Sequence, residues 1–351
     1  MKKLIIISLL FVGIAGIRAQ SAFALTDGVP ALVYALPKTN LCFEIEVETT
    51  VEKPGVFYLY SQRYLATSQV VMEEKTSSKV KSISMQTVTV PDVNRRFAVE
   101  PMAKSPLNGI VVNEQGILCG VNIVPASPSA AKTDVSNMQK QEVAGSEPEL
   151  LSLTQEYMMA GSTAKMAEGA AKQIYDIRAS RLNLLSGEMD HLPDGEALKT
   201  MLSGLDAKEK ELTALFIGSV RKNTKVYKLN LSPDNVVSNE VLFRLSATRG
   251  VVAKDDLSGE PYFITIAPEK IRMQERDPKA KVERAGLYTV LPALTTVTVS
   301  DGVNQVLQQT IPMPQFGQLV TLPESLLRTP GIKITVDVPT GRILGIIIPR
   351  Q

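Results

Sequence analysis

The segment 186–196, SGEMDHLPDGE, holds four acidic residues around the only histidine of the chain. Oxygen ligands with one imidazole can bind a divalent metal or polarise a water molecule. The candidate metal ligands are Glu188, Asp190, His191 and Asp194. Transition-metal sites usually contain more His or Cys than this. The favoured interpretation is therefore a polar connection whose Asp194 and Glu196 cap and charge the start of the next helix.

Arg178 and Arg181 lie one helical turn apart, just before this segment. Semi-buried arginines can clamp an anion through charge-assisted hydrogen bonds. The favoured alternative is that they form ion pairs with Glu188, with Asp190 or with carboxylates of a facing β region.

Ser162 and Lys165 form an S-x-x-K pattern, which is the acyl-enzyme signature of one class of periplasmic enzymes. The companion S-D-N and K-T-G motifs are not found in the required order. The favoured interpretation is a kinked helix with an exposed lysine.

Two further clusters have a chemical and a structural interpretation. Asp255, Asp256, Ser258 and Glu260 surround a glycine turn, which would suit calcium or an ordinary hairpin turn, and the turn is favoured. Met158, Met159 and Met166 would suit an adaptable binding surface or core filling, and core filling is favoured. Nucleotide-binding, nucleophile-elbow, zinc-protease and C-x-x-C motifs are absent from the sequence. The sequence thus predicts no catalytic residue and no cofactor.

Residues 146–218 are predicted to form the helical segment that would position these groups. Ala164, Ala167, Ala171, Ile174, Arg178, Leu182 and Leu185 recur at three- and four-residue steps. This spacing predicts one long packed helix over 147–186, with a break at Gly161-Ser162. Two shorter helices are predicted to follow, one from Asp194 and one from a capping box at Asp206 and Glu209.

Alternating apolar residues predict β structure on both sides of the helices. The predicted regions are an N-terminal β domain (25–126), a flexible linker (127–145) and a C-terminal β-rich domain (219–351). A Phe/Tyr-rich strand is predicted after Pro54-Gly55. The expected class is α+β, with two antiparallel sandwich-like parts, a central long helix and two shorter helices.

The two β regions contain similar fragments. Residues 34–37 (YALP) resemble 288–292 (YTVLP), and 110–123 resemble 334–348 when Gly116 is aligned with Gly341. A duplicated β domain would leave this pattern, although any glycine-turned apolar hairpin would resemble another. Cys42 and Cys119 fall on opposite faces of their strands, which favours two free thiols.

The first 24 residues are predicted to be a signal peptide. Lys2 and Lys3 precede an apolar stretch, and Ala22-Phe23-Ala24 matches a cleavage site. Removing this segment leaves 35 basic and 36 acidic residues. A near-neutral chain without tryptophan gives no basis for nucleic-acid binding, and no transmembrane span is predicted after cleavage.

Three segments carry a resemblance: YALPKT (34–39), the block 156–195 and the block 241–266. With the signal peptide, they resemble an exported family of Gram-negative gut anaerobes that carries a domain of unknown function. The resemblance implies two β-rich parts around a helical segment and a bacterial periplasmic location. It implies no activity and no site residues.

The sequence therefore predicts an exported cell-envelope protein that acts as a non-enzymatic binding or structural module. Its location would be the periplasm, the outer membrane or the exterior, and its partner a protein of the cell envelope. The alternative is a metal-assisted periplasmic hydrolase that uses the acidic and histidine turn 188–196.

Overall fold

The computed structural model describes residues 23–26, 29–99, 109–124, 159, 161–186, 195–271 and 285–349. The strands in these ranges are β1 (Phe23–Thr26), β2 (Val29–Lys53), β3 (Lys75–Val99), β4 (Ile110–Val112), β5 (Leu118–Val121), β6 (Ser219–Leu231), β7 (Val237–Ser246), β8 (Gly250–Val252), β9 (Glu260–Pro268), β10 (Ala285–Ser300), β11 (Gln305–Pro323), β12 (Lys333–Val336) and β13 (Ile343–Ile347). The helices are α1 (Ser61–Leu65), α2 (Thr163–Ser186), α3 (Gly195–Ile217) and α4 (Glu324–Leu327). The predicted α+β class with antiparallel sheets is confirmed.

Two sheets pack face to face around the main core. In the first sheet β2 pairs with β1, β3 and β6, and the second sheet has the order β11-β10-β9-β7-β8. Alternate residues of β2 point into the space between the sheets, as strand geometry requires. The buried residues there include Leu41, Phe43, Ile45, Phe243, Ile264, Ile266, Val297 and Val299. The packing is sandwich-like, but it joins strands of both β regions, whereas one sandwich-like part was predicted in each region.

A third sheet, with the order β13-β12-β5-β4, covers the remaining parts of the long strands. Tyr34 and Leu36 of β2 and Val290 of β10 are buried against it. The register of β2 on β3 jumps from Ala35↔Arg96 to Pro37↔Pro91 at the boundary between the two cores. Proline has no N–H to donate to the hydrogen bonds between strands, so it is found where the register is irregular.

The same arrangement occurs twice. We call β2–β5 the first unit and β10–β13 the second unit. The register of β10 on β11 jumps from Leu291↔Gln318 to Ala293↔Met313, which corresponds to the jump between β2 and β3. The Ala35 N–H donates to the Gly116 oxygen at 2.9 Å, and the Val290 N–H donates to the Gly341 oxygen at 3.2 Å. The structure thus confirms the repeat that the two sequence fragments predicted.

The two β regions do not form separate sheets. Strand β6 pairs with β2 over residues 219–231 in the first sheet, and β12 pairs with β5 in the third. The sequence boundaries at 126 and 219 therefore lie between strands that meet in the same sheet. Local alternation could not reveal this pairing because it reports only which face of each strand is buried. The predicted linker, 127–145, lies outside the described residues.

Helices α2 and α3 form an antiparallel pair. Ala167, Ala170, Ala171 and Ile174 of α2 are buried against Leu212, Leu215 and Phe216 of α3. Helix α2 begins at Thr163, directly after the predicted break at Gly161-Ser162. The spacing predicts a stripe that includes Leu182, Leu184 and Leu185, and of these only Leu184 is buried. Among the described residues, no helix is long and apolar enough to cross a membrane.

The prediction of two short helices was wrong in one respect, because α3 runs without interruption from 195 to 217. Its interior Gly204 costs about 1 kcal/mol relative to alanine, which the packed face of the helix outweighs. Asp206 is consequently an interior residue, and it pairs with Arg181 of α2.

The prediction of a strand after Pro54-Gly55 was also wrong. Tyr58–Tyr60 form a 3₁₀ turn, and α1 follows it directly. Phe57 is fully buried on Phe216 of α3, with ring centroids 5.5 Å apart. Aromatic residues of this segment recur at the three- and four-residue steps of a helix: Phe57, Tyr60 and Tyr64. The many aromatic residues suggested a strand and so obscured this helical spacing.

Tyr34 and Tyr288 join the two units. The Tyr288 N–H donates to the Tyr34 hydroxyl at 2.8 Å, and this hydroxyl donates to the Tyr288 oxygen at 3.0 Å. The phenol thus satisfies both backbone groups of Tyr288, as a neighbouring strand would. Phe97 stacks on the Tyr288 ring with centroids 4.4 Å apart.

Tyr34→Phe is expected to lower the free energy of unfolding by about 1–3 kcal/mol, because both backbone groups of Tyr288 lose a buried partner. Burial raises the pKa of the Tyr34 phenol above its ordinary value. The raised pKa contributes to the stability of the folded protein. This contribution is fully present below the pKa of the phenol in the unfolded chain, about 10, and it is lost as pH rises through the pKa of the phenol in the folded protein. Urea unfolding of both proteins from neutral to alkaline pH should show the difference shrinking above about pH 10. A difference that grows there would contradict this assignment.

Candidate functional site

A cleft of about 770 Å³ lies beside the helix pair and contains one of the two predicted arginines. Its lining comes from residues 69–71, from one face of α3, from the start of β6 and from Arg178. The Arg178 Nε donates to Glu209 Oε1 at 2.6 Å. Arg181 Nη1 lies 2.6 Å from Asp206 Oδ1 and 2.8 Å from Glu209 Oε2.

The two arginines are thus matched by two carboxylates in the cleft. The hydrogen bond that Arg181 donates to Asp206 and the charge of Glu209 raise the pKa of Arg181, so its charge is held firmly. An added anion would have to displace these carboxylates, which makes an anion clamp unfavourable. These partners, Asp206 and Glu209, lie on α3 and differ from the predicted ones, which were Glu188, Asp190 or carboxylates of a facing β region. The signal was present in their spacing of three residues, which matches that of Arg178 and Arg181.

The predicted metal ligands Glu188, Asp190, His191 and Asp194 lie outside the described residues, so they stay a prediction. Glu196 is described and is exposed in the first turn of α3. Within the described ranges, no group of three or more His, Cys, Asp or Glu side chains could hold a metal ion.

The side chain of Arg249 binds the acidic turn near Asp256. Arg249 Nη2 lies 2.6 Å from Asp256 Oδ2 and also bonds the Ser258 hydroxyl. The Ser258 N–H donates to Asp256 Oδ1 at 3.0 Å. The hydrogen bonds from Ser258 lower the pKa of Asp256, with a contribution from Arg249. The segment is therefore a hydrogen-bonded turn, but it is not a hairpin turn, because the strands that it joins, β8 and β9, lie on opposite sides of β7.

The remaining predicted groups have structural positions. Ser162 precedes α2, and its oxygen atoms accept the Lys165 N–H, so it serves as a helix cap. Met166 packs on the helical core, whereas Met159 is exposed and Met158 lies outside the described residues. Cys42 and Cys119 are free, as predicted.

The register jumps of the two units meet in a buried polar junction that the sequence analysis did not identify. Arg95 donates to the oxygens of Pro314 and Gln315, at 3.0 and 2.6 Å. The Gln315 side chain accepts the Thr39 N–H at 3.1 Å and donates to the Thr39 oxygen at 2.8 Å. Asp92 is buried beside Arg95. The only signal in the sequence was a proline before each polar residue, Pro91-Asp92 and Pro314-Gln315. Each of these groups contacts at least one other member of the set, so the junction holds the fold.

The open edge of β13 is the second feature that sequence reasoning did not identify. Strand β13 pairs with β12, and no other described strand pairs with it. Leu344 and Ile347 are 62% and 63% exposed, and Ile346 and Ile348 are also exposed. An apolar run such as Ile343 to Ile348 normally indicates burial.

These features define a β-rich α+β protein with a repeated four-strand unit, an antiparallel pair of helices and an apolar sheet edge. The chain belongs to the family of a domain of unknown function, DUF4831, whose model matches residues 30–344. No curated protein and no solved structure matched the chain.

Proposed function

We propose that the protein is an exported cell-envelope protein that acts as a non-enzymatic binding module through the open edge of β13. The described polar candidate groups bind one another, whereas the apolar strand β13 has one edge that pairs with no described strand. This contrast supports the proposal. A strand edge presents free N–H and C=O groups that another strand can bind.

The long edge strands of the first two sheets differ from β13. Strand β3 carries Lys75, Lys79 and Lys81, and strand β6 carries Lys222, Lys225 and Lys228. The edge strand β11 is uncharged, but it contains Pro312 and Pro314. Lysine and proline on an edge both discourage pairing with other chains. Strand β13 has the sequence ILGII, with neither charge nor proline, which favours it as the edge that binds.

The supporting basis for export is the sequence of residues 1–24, with its basic start, apolar stretch and A-x-A site. Cleavage after Ala24 would divide β1 and leave Leu25 and Thr26, which pair with Pro30 and Val29.

Site-specific photo-crosslinking in cells tests this proposal. A photoreactive residue at Leu344 is expected to give protein adducts in the envelope fraction, on a chain that starts at Leu25. The matched control is Val303, which is equally apolar and 90% exposed but lies in the turn after β10. An uncleaved chain in the cytoplasm, or equal adducts from both positions, would overturn the proposal.

A further inference from the structure

The β4–β5 hairpin and the β12–β13 hairpin correspond residue for residue. The pairs Ile110↔Val121, Val111↔Gly120 and Val112↔Leu118 of the first hairpin have a bulge after Val111. The pairs Ile334↔Ile346, Thr335↔Gly345 and Val336↔Ile343 of the second have a bulge after Thr335. Strand β12 is thus the counterpart of β4, and β13 is the counterpart of β5.

The counterparts differ in what covers them. Strand β5 lies between β4 and β12, and its residues from Leu118 to Val121 are all buried. Strand β13 has the same position in its hairpin but pairs only with β12 among the described strands. Its Leu344 and Ile346 are exposed, whereas the corresponding Cys119 and Val121 are buried. The second unit therefore exposes the surface that a following strand covers in the first unit.

Gly120 shows how closely β12 approaches β5. Its φ is 154°, and a Cβ there would lie 2.2 Å from the oxygen of Ile334, so glycine is what admits β12 beside β5. Gly345, its counterpart on β13, is not among the glycines with positive φ, so a Cβ there would point in another direction, and it would have nothing within 4 Å. Among the described residues, the space beside β13 that corresponds to that of β12 is open, as the exposure of Leu344 and Ile346 shows.

The strand that fits this space must resemble β12, and its counterpart β4 forms the opposite edge of the same sheet. The sequence of β4 is IVV, which is uncharged and half-buried. Because β4 and β13 are different edges of one sheet, their pairing between copies is head-to-tail, which forms open chains or rings.

We propose that β13 binds β4 of a second copy of this protein and repeats the contact between β5 and β12. Within the chain, Val121 pairs with Ile334 and Gly120 with Thr335. The corresponding pairs between copies are Ile346 with Ile110 of the second copy, and Gly345 with Val111 of the second copy. This inference rests on the proposed binding edge and names its partner.

Sedimentation of the purified mature chain, measured over a concentration series, tests the association. Association of the natural chain is expected, with Ile346→Lys weakening it by about tenfold or more, because lysine on a strand edge discourages pairing. The monomer should keep its stability, since Ile346 is exposed in the isolated chain. A chain that stays monomeric throughout the series, or an Ile346→Lys variant that associates as well as the natural chain, would overturn the proposal.

Cysteine pairs test the register, in a background with Cys42→Ser and Cys119→Ser. A mixture of the Ile110→Cys and Ile346→Cys proteins should form a disulfide-linked dimer on mild oxidation, because paired Cα atoms lie within disulfide reach. Neither protein alone should do so. Dimers from the Ile346→Cys protein alone would indicate symmetric β13 pairing and overturn the head-to-tail arrangement. If purified copies fail to associate while Leu344 crosslinks another protein in cells, the inference falls and the proposed function stands.

Discussion

Replacing Arg95 with alanine is expected to lower the free energy of unfolding by about 3 kcal/mol, because this guanidinium joins the register jumps of both units. Nη1 and Nη2 donate to the oxygens of Pro314 and Gln315, and Nε lies 3.7 Å from Asp92 Oδ2. Alanine would leave two carbonyl groups and one buried carboxylate without this donor. Buried groups that lose a partner retain their full desolvation cost.

Urea unfolding at neutral pH measures this effect, and Arg96→Ala is the matched control. Arg96 is the next residue of β3 and is exposed, so its removal should change stability by less than about 0.5 kcal/mol. Arg95→Lys should recover only part of the loss, because a single ammonium cannot reproduce the planar fork of donors. Equal losses for Arg95→Ala and Arg96→Ala would show that the junction does not hold the units together.

Local sequence signals were sufficient for the features that depend on neighbouring residues. The alternation of Leu41, Phe43 and Ile45 predicted which face of β2 is buried, and the structure buries all three. Gly116 and Gly341 revealed the repeated hairpins because each occupies a turn with positive φ. The alanines of α2 predicted its close packing. Each of these signals is short in range and needs no knowledge of the partner element.

Features that depend on distant elements could not be predicted in this way. The partners of Arg178 and Arg181 are on α3, and their identity depends on how two helices are aligned. The pairing of β2 with β6 depends on a register between residues more than 150 positions apart in the chain. The exposure of β13 contradicts its apolar composition, and such conflicts are expected at functional surfaces.

Gly120→Ala is expected to destabilise the protein by about 3 kcal/mol or more, because its methyl would overlap the backbone of β12 and because its φ of 154° is one that L residues rarely adopt. The built Cβ lies 2.2 Å from the Ile334 oxygen, and a strand backbone cannot yield as a flexible side chain can. Relief would require β12 to leave β5, which would open the third sheet and expose the buried Ile334 and Val121.

The repeat supplies a comparison for this prediction within the same molecule. Gly345→Ala makes the same chemical change at the corresponding position of β13, where φ is not in the positive range and a Cβ meets nothing within 4 Å. In dilute protein it should therefore shift the free energy of unfolding by less than about 0.5 kcal/mol. Denaturant midpoints of the two variants measure the comparison directly. A large loss for Gly345→Ala in the monomer would contradict the open surroundings of Gly345, and a negligible loss for Gly120→Ala would contradict the close approach of β12. The two substitutions thus separate the effect of the contact between β5 and β12, together with the backbone conformation of Gly120, from the effect of replacing a glycine of this hairpin with alanine.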